Sequence, residues 1–134
     1  MIRFLPAFFL CAALPLAPAM AADCSDPVTT LEMRICAAED LKRADAQLNA
    51  AYRDAKAAAA EADALHEERA DGGAVHHLRE AQRAWIKLRD ADCALAGFPF
   101  RGGTLEPVLI TSCHADLTEK RTEDLREIAQ TLRH

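Results

Sequence analysis

Apolar residues recur at helical spacing along most of this chain, and runs of β-branched residues typical of strands are absent. Residues three and four apart lie on one face of a helix, so each such stripe predicts an amphipathic helix. The stripes are interrupted at 71-DGG-73 and at 97-GFPFRGGT-104, which are rich in residues that end helices. Long helices joined by short turns alternate up and down. We therefore predict an all-α fold, a small up-down bundle of three long helices with a short N-terminal helix, stapled by two disulfides.

The predicted short helix covers residues 29–37. It begins at the capping box 29-TTLE-32 and carries Leu31 and Ile35 on one side. We expect it to bend near residues 38–40, because the next stripe is rotated by roughly a quarter turn or less. That next stripe belongs to the first long helix and consists of Leu41, Ala44, Leu48, Ala51, Tyr52, Ala55 and Ala59.

The remaining helical segments differ in how clearly they define a buried face. The tract at 57–65 is strongly helix-forming but has almost no stripe, so we expect it to project beyond the core. The second long helix is expected over about 74–96, with an inward stripe of Val75, Leu78, Ala81, Trp85, Leu88 and Leu95. The third is expected to be capped by Thr104, with Pro107 tolerated in its first turn. Its stripe is Leu109, Cys113, Leu117, Leu125, Ile128 and Leu132.

The first 21 residues have the pattern of a secretory signal peptide. Arg3 precedes the apolar run at 4–20, and 19-AMA-21 is a small-x-small cleavage signal. Residues 22–134 would then form a single domain of a periplasmic or secreted protein, with no membrane insertion after cleavage. Cleavage removes one positive charge and no acidic residue, so the formal net charge goes from −5 to −6. An acidic chain argues against nucleic acid as a partner and favours a basic protein.

Four cysteines remain after cleavage: Cys24, Cys36, Cys93 and Cys113. An even number in a small exported domain predicts two disulfides. All four are expected at the same end of the bundle, which leaves three connectivities open. Loop geometry favours the local pairs Cys24–Cys36 and Cys93–Cys113.

Several polar residues fall inside the apolar arcs when they are placed at 100° intervals around each helix. This predicted polar layer consists of Asp45, Asn49, Tyr52, Gln82, Trp85, Arg89, Asp92, Arg121 and Asp124. The helix levels place Asp45 and Arg121 close to Trp85. Buried charges must be paired, and opposite charges balance here, so we interpret the layer as one that fixes helix register. The alternative is an anion or ligand pocket.

No catalytic or cofactor motif is present: the sequence lacks a Gly-rich phosphate loop, a zinc-protease motif and a serine-nucleophile motif. His76 and Glu80 share a helix face, but a metal site would also need His66 from across the turn. We therefore predict no metal site, no cofactor and no enzymatic activity. The loop at 97–104 is the candidate partner contact, because Phe98, Phe100 and Arg101 are able to present rigid anchors there. The alternative is that both Phe side chains fold back over the disulfide end.

Blocks distributed along nearly the whole of residues 22–134 together resemble one family of exported bacterial domains. They are Cys24, 33-MRICA-37, 44-ADAQLNAAY-52, 81-AQRAWIKLRDADC-93, 102-GGT-104, Cys113 and 117-LTEKRTEDL-125. The family is the LprI-type lysozyme-inhibitor domain. The resemblance implies an exported helical domain with disulfides and a role in inhibiting lysozyme, but it carries over no inhibitory residue. The function predicted is therefore a non-enzymatic protein-binding domain and lysozyme inhibitor. The alternatives are an envelope structural or stress adaptor without lysozyme contact, and a small-ligand or metal binder.

Overall fold

The computed structural model describes residues 23–65 and 72–134, and the predicted signal peptide at 1–21 lies outside them. The described residues form three long helices and contain no strand. The elements are α1 (Thr30–Leu65), α2 (Ala74–Gly97), the single 3-10 turn η1 (Phe98–Phe100) and α3 (Glu106–Leu132). None of the helices in these two ranges is long and apolar enough to span a membrane.

Helix α1 is continuous, so the prediction of a separate short helix over 29–37 is wrong. The capping box that begins α1 is present: the Thr29 hydroxyl accepts a hydrogen bond from the Glu32 amide at 3.2 Å, and the Glu32 carboxylate accepts one from the Thr29 amide at 2.8 Å. Leu31 and Ile35 are exposed and do not define a buried face. The buried face instead begins at Cys36 and Ala37, and from Ala37 to Ala58 it advances at intervals of three, four or seven residues, as a heptad pattern does. Such a pattern needs no bend, because helices that wrap around each other absorb its slow drift.

Small side chains form the contact between α1 and α3, which is the largest helix interface of the fold. The buried alanines of α1 include Ala55, Ala58 and Ala59, which are inaccessible to solvent. The prediction that the tract at 57–65 projects beyond the core is therefore wrong for its first turn. Helix α3 contributes the buried residues Val108, Ala115, Thr118, Thr122, Leu125 and Ala129. Alanine and threonine leave little bulk between the helices and so permit a close approach of their axes.

One buried hydrogen bond lies within α3, and one ion pair joins the end of α3 to α1. The Thr122 hydroxyl donates to the Thr118 carbonyl at 2.8 Å, which satisfies a buried polar group within α3. Arg133 follows the last turn of α3, and its guanidinium donates to the Asp54 carboxylate on α1. That hydrogen bond is the main cause that lowers the pKa of Asp54 below its ordinary value.

Helix α2 runs antiparallel to the other two helices and starts on a cap supplied by α1. The Asp63 carboxylate accepts hydrogen bonds from the Ala74 amide at 2.6 Å and from the Val75 amide at 3.1 Å. These amides are two of the four that a helix N-terminus leaves without an internal partner. Gly73 leaves room for this cap, since a Cβ there would lie 2.4 Å from Asp63 Oδ1.

The orientation of α2 differs from its predicted stripe. Leu78 is buried and Trp85 packs against the core, as expected. Three other members of the stripe, Ala81, Leu88 and Leu95, are exposed, and the prediction was wrong for them. Gln82 and Cys93 are buried instead. The helix is rotated about its axis relative to the prediction, so that the side with Leu78, Gln82 and Cys93 faces inward.

The corner between α2 and α3 is tight. Gly97 ends α2 against Ile110 of α3, and a Cβ on Gly97 would lie 2.5 Å from Ile110 Cγ1. Helix α3 begins at Glu106 after Leu105, with no side-chain cap, so the expected capping by Thr104 is wrong. Pro107 lies in the first turn, where a missing backbone N–H leaves no hydrogen bond unmade.

Both predicted disulfides are confirmed. Cys24 is joined to Cys36 across 12 positions, and Cys93 is joined to Cys113 across 20 positions. The first ties the segment before α1 to its second turn, and the second closes the corner between α2 and α3. Disulfides of this kind are typical of proteins in oxidising compartments.

Candidate functional site

The loop at 98–104 has a backbone held by its own hydrogen bonds. The Arg101 amide donates to the Phe98 carbonyl at 3.2 Å, and the Gly103 amide donates to the Phe100 carbonyl at 2.9 Å. The Glu106 carboxylate, in the first turn of α3, accepts from the Gly102 amide at 2.6 Å. Gly102 has a φ of +80°, a conformation that residues with a side chain rarely adopt. The loop is thus fixed at both ends and stiffened at its centre.

The aromatic side chains of this loop face solvent. Phe98 is 58% exposed and Phe100 is 47% exposed, so neither folds back to cover the disulfide end. The Arg101 guanidinium lies 5.4 Å from the centre of the Phe98 ring, within the range of a cation–π contact. The loop therefore displays two apolar rings and one cation on a rigid frame above the Cys93–Cys113 disulfide.

Polar contacts link α2 to α3 beneath that loop. Arg121 on α3 donates from Nε to Gln82 Oε1 at 3.1 Å, and Arg89 on α2 donates from Nη1 to Thr118 Oγ1 at 3.3 Å. The Arg89 guanidinium also lies 5.0 Å from the centre of the Trp85 ring. These four polar side chains join the two helices at two levels, which lie seven residues apart on α2 and three residues apart on α3.

Asp45 does not pair with Arg121 as the sequence had suggested. Arg121 instead reaches Gln82 and, at 3.6 Å, the exposed carboxylate of Asp124. Its Nη2 atom is buried without a hydrogen-bond partner among the described residues. Asp92, which was expected to face the core, is exposed.

The remaining members of the predicted layer border a groove of about 420 Å³ between α1 and α2. Asp45, Asn49 and Tyr52 line its α1 side and make no hydrogen bond or ion pair with another residue of 23–65 or 72–134. Trp85 and Gln82 line its α2 side. The groove also contains three residues that the sequence analysis left out: Arg79, Arg83 and Ile86. They were missed because they lie outside the apolar stripes. They line the groove only because of the distance between α1 and α2, which the sequence does not give.

The possible metal ligands do not come together in the described part of the chain. His76 contacts Arg79, with its Nδ1 atom 3.2 Å from Arg79 Nη2. Glu80 pairs with Arg83 at 3.0 Å. His66 lies outside the described residues, and no group of three or more metal-binding side chains occurs within them.

Comparison with known proteins assigns this helical, disulfide-bonded chain to a family. The model of the lysozyme inhibitor LprI family matches residues 21–125, which include α1, α2, most of α3 and both disulfides. The chain belongs to the LprI lysozyme-inhibitor family. An uncharacterized protein of Rhizobium meliloti (strain 1021) is 44% identical over 111 residues, covering 81% of this chain and 80% of that protein. No solved structure matches the chain.

The family match extends over the loop at 98–104 and over the polar contacts between α2 and α3, and it identifies neither as the inhibitory surface. The Phe and Gly content singled out this loop but left open whether its Phe rings are exposed, and Glu106, whose carboxylate holds Gly102, was missed. The signal in the sequence was that Glu106 follows Gly102 by four residues, a spacing at which its carboxylate is able to reach the Gly102 amide.

Proposed function

We propose that this protein is exported and acts without catalysis by binding another protein, a basic lysozyme, through Phe98, Phe100 and Arg101. Family membership supports the lysozyme, and the two disulfides support an oxidising compartment, periplasmic or extracellular. The observation that carries the choice of surface is the exposure of both Phe rings on a loop with fixed backbone. A rigid aromatic anchor loses little conformational entropy on binding, which is why such residues dominate interface energies.

Charge supports the same partner. The chain without its first 21 residues has a formal net charge of −6, so its field attracts a basic lysozyme and speeds their encounter. Arg101 is then the local exception. On the proposed contact it pairs with acidic groups of the partner, as the cleft of a glycosidase provides from its catalytic carboxylates. The protruding loop blocks the cleft by occupying it.

The test is a cell-wall lysis assay with animal c-type and g-type lysozymes, with and without the disulfide-bonded protein. We expect inhibition that weakens as salt rises, because steering between opposite charges is screened. The variant Phe98→Ala/Phe100→Ala should raise the inhibition constant by roughly 30-fold, the effect of losing about 2 kcal/mol of anchor energy. Leu65→Ala is the matched control, since Leu65 is 83% exposed at the opposite end of the bundle.

Two results separate the parts of this proposal. Absence of inhibition at micromolar excess over both lysozyme classes would refute the lysozyme partner and leave the envelope adaptor role. Full inhibition by the double Phe variant would show that another surface makes the contact.

We also propose that the polar contacts between α2 and α3 act structurally, as a register lock. Gln82–Arg121 and Arg89–Thr118 cannot both form if α2 slides by one turn along α3. The outcome is distinct from a loss of binding: Gln82→Ala should lower the unfolding free energy by about 1–3 kcal/mol, because Arg121 Nε would lose its buried partner.

The groove between α1 and α2 favours small-ligand binding as a second candidate function. Its volume of about 420 Å³ lies in the range of ligand sites. The polar groups of Asp45, Asn49 and Tyr52 there make no hydrogen bond or ion pair within the two described ranges. Trp85 is the only Trp of the chain and lines this groove, so its fluorescence reports occupancy. A spectrum unchanged by a panel of sugars and amino acids at millimolar concentration would eliminate this candidate for those ligand classes.

A further inference from the structure

A straight apolar stripe runs along the outer face of α2, away from α1 and α3. Its members are all exposed and are Ala81, Ala84, Leu88, Ala91 and Leu95. They follow one another at intervals of three, four, three and four residues. This alternation is the a and d pattern of a coiled coil, in which a second helix covers the stripe. We call these five residues the outer seam.

The outer seam leaves substantial apolar surface in water. Leu88 is 60% exposed and Leu95 is 70% exposed, although both lie within a regular helix and not at a frayed end. The three alanines between and before them are small enough for a second helix to approach to about 8 Å. Fourteen helical rises of 1.5 Å give the seam a length of about 21 Å. A helix with the same repeat, in the same direction, would bury both leucines.

Two charged residues on the edges of the outer seam indicate what that second helix is. Lys87 lies on one edge and Asp92 on the other, five positions later, and both are exposed. Neither makes a hydrogen bond or ion pair with another described residue. Within one helix they cannot meet, because five residues turn the chain by about 140° and place them on opposite sides of the seam.

In a parallel two-stranded coiled coil, each residue at position g faces the residue five positions later, at position e, of the other helix. Lys87 occupies g and Asp92 occupies e when Leu88 and Leu95 occupy a. A second copy of this chain, parallel and in register, therefore sets Lys87 of each copy against Asp92 of the other. In this arrangement Leu88 packs against Leu88 of the second copy, and Leu95 packs against Leu95 of the second copy. In an antiparallel pairing each g position faces g and each e position faces e, so both Lys87–Asp92 attractions are lost.

We propose that the protein forms a parallel, in-register homodimer through the outer seam. The short seam makes the association weak, with a dissociation constant of about 10–100 µM, as befits an interface below standard size. The twofold axis runs along α2, so both copies present the loop at 98–104 at the same end of the dimer. The dimer is independent of the proposed lysozyme contact and stands or falls on separate measurements.

The first test is sedimentation equilibrium of the disulfide-bonded protein, without its first 21 residues, from 1 µM to about 1 mM. We expect a concentration-dependent shift from monomer to dimer in the wild type. Leu88→Asp/Leu95→Asp should remain monomeric with an unchanged helical circular dichroism spectrum, because both side chains are exposed in the monomer. Leu65→Asp is the matched control, an equally drastic change at an exposed leucine off the seam, and should dimerise normally. A wild type that stays monomeric at 1 mM, or a dimer that survives the seam substitutions, would overturn the proposal.

The second test addresses partner direction through the edge charges. Lys87→Glu sets Glu against Asp92 of the second copy, and Asp92→Lys sets two lysines together, so each variant alone should dimerise at least about tenfold more weakly. An equimolar mixture of the two variants should form a heterodimer, since opposite charges then meet at both edges. The double variant Lys87→Glu/Asp92→Lys should regain the wild-type dimer. Charge variants that dimerise as well as the wild type, or a mixture with no heterodimer, would refute the parallel arrangement.

Discussion

Replacing Ala59 by Leu should destabilise the fold strongly, whereas the same change at Ala57 should have almost no effect. Ala59 is inaccessible to solvent and belongs to the same core cluster as Leu78 and Leu125, while Ala57, two positions earlier, is exposed. Three extra carbon atoms at Ala59 have no space between α1 and its neighbours, and overpacking of this kind costs about 1–3 kcal/mol. Ala and Leu have similar helix propensities, so Ala57→Leu should change stability by less than about 0.5 kcal/mol.

Urea and thermal unfolding of the two variants measure this difference directly. At about 4 °C per kcal/mol for a domain of this size, Ala59→Leu should lower Tm by roughly 4–12 °C. Ala57→Leu serves as the matched control, because it has the same chemistry on the same turn of α1. Equal stability of the two variants would refute the burial of this tract and would restore a helix end that projects into solvent.

Three further predictions concern the ends of the helices. Replacing Cys93 and Cys113 by Ala should lower the unfolding free energy by about 3 kcal/mol, since the disulfide limits the unfolded chain, and calorimetry of the oxidised and substituted proteins checks this. Because its pairing with Arg133 lowers the pKa of Asp54, the stability that this contact contributes is fully present above the ordinary Asp value of 3.8 and is lost as pH falls through the lower folded pKa. Asp54→Asn should accordingly flatten the acid limb of a stability-against-pH curve, and a curve superimposable on the wild type would contradict the pairing. Gly97→Ala should destabilise the corner between α2 and α3, because the added carbon meets α3 at 2.5 Å, and a melting temperature equal to the wild type would show that the corner relaxes freely.

Local sequence predicted the helices and the disulfides well. The bounds of α2 were expected to within one or two residues, because 71-DGG-73 and Gly97 end the helical pattern on both sides. The disulfide pairs followed from short loops that hold the cysteines near each other. Both features depend on neighbours in the chain, which a sequence displays directly.

Burial was harder to predict because it depends on which helices meet. The α1 tract at 57–65 has no large apolar residue before its end, so its sequence suggested a projecting helix, yet small side chains are what a close contact with α3 requires. Thr118 and Thr122 were overlooked for a related reason: their hydroxyl groups look polar in sequence, although the Thr122 hydroxyl is satisfied within its own helix. No propensity of a single residue carries this information.

For the candidate site too, the sequence predicted some features and the tertiary structure decided the others. Phe98 and Phe100 were found from composition alone, and their two alternatives, exposed or folded back, were decided only by the packed structure. Arg121 was expected level with Trp85 and close to Asp45, and its partner is Gln82, three residues before Trp85 on α2. A level along a helix follows from counting residues, whereas a partner depends on the rotation of each helix about its axis.

The sequence by itself determined that this chain is helical and that it belongs with the LprI lysozyme inhibitors, and it favoured disulfides between near neighbours. Only the tertiary structure decided which face of α2 turns inward. Two stripes compete on that helix, one with Leu78 and Cys93 and the other with Leu88 and Leu95, and both have helical period. The first is buried because the Cys93 disulfide and the close approach at Gly97 orient α2 against α3. The leucines of the outer seam are left in solvent as a consequence.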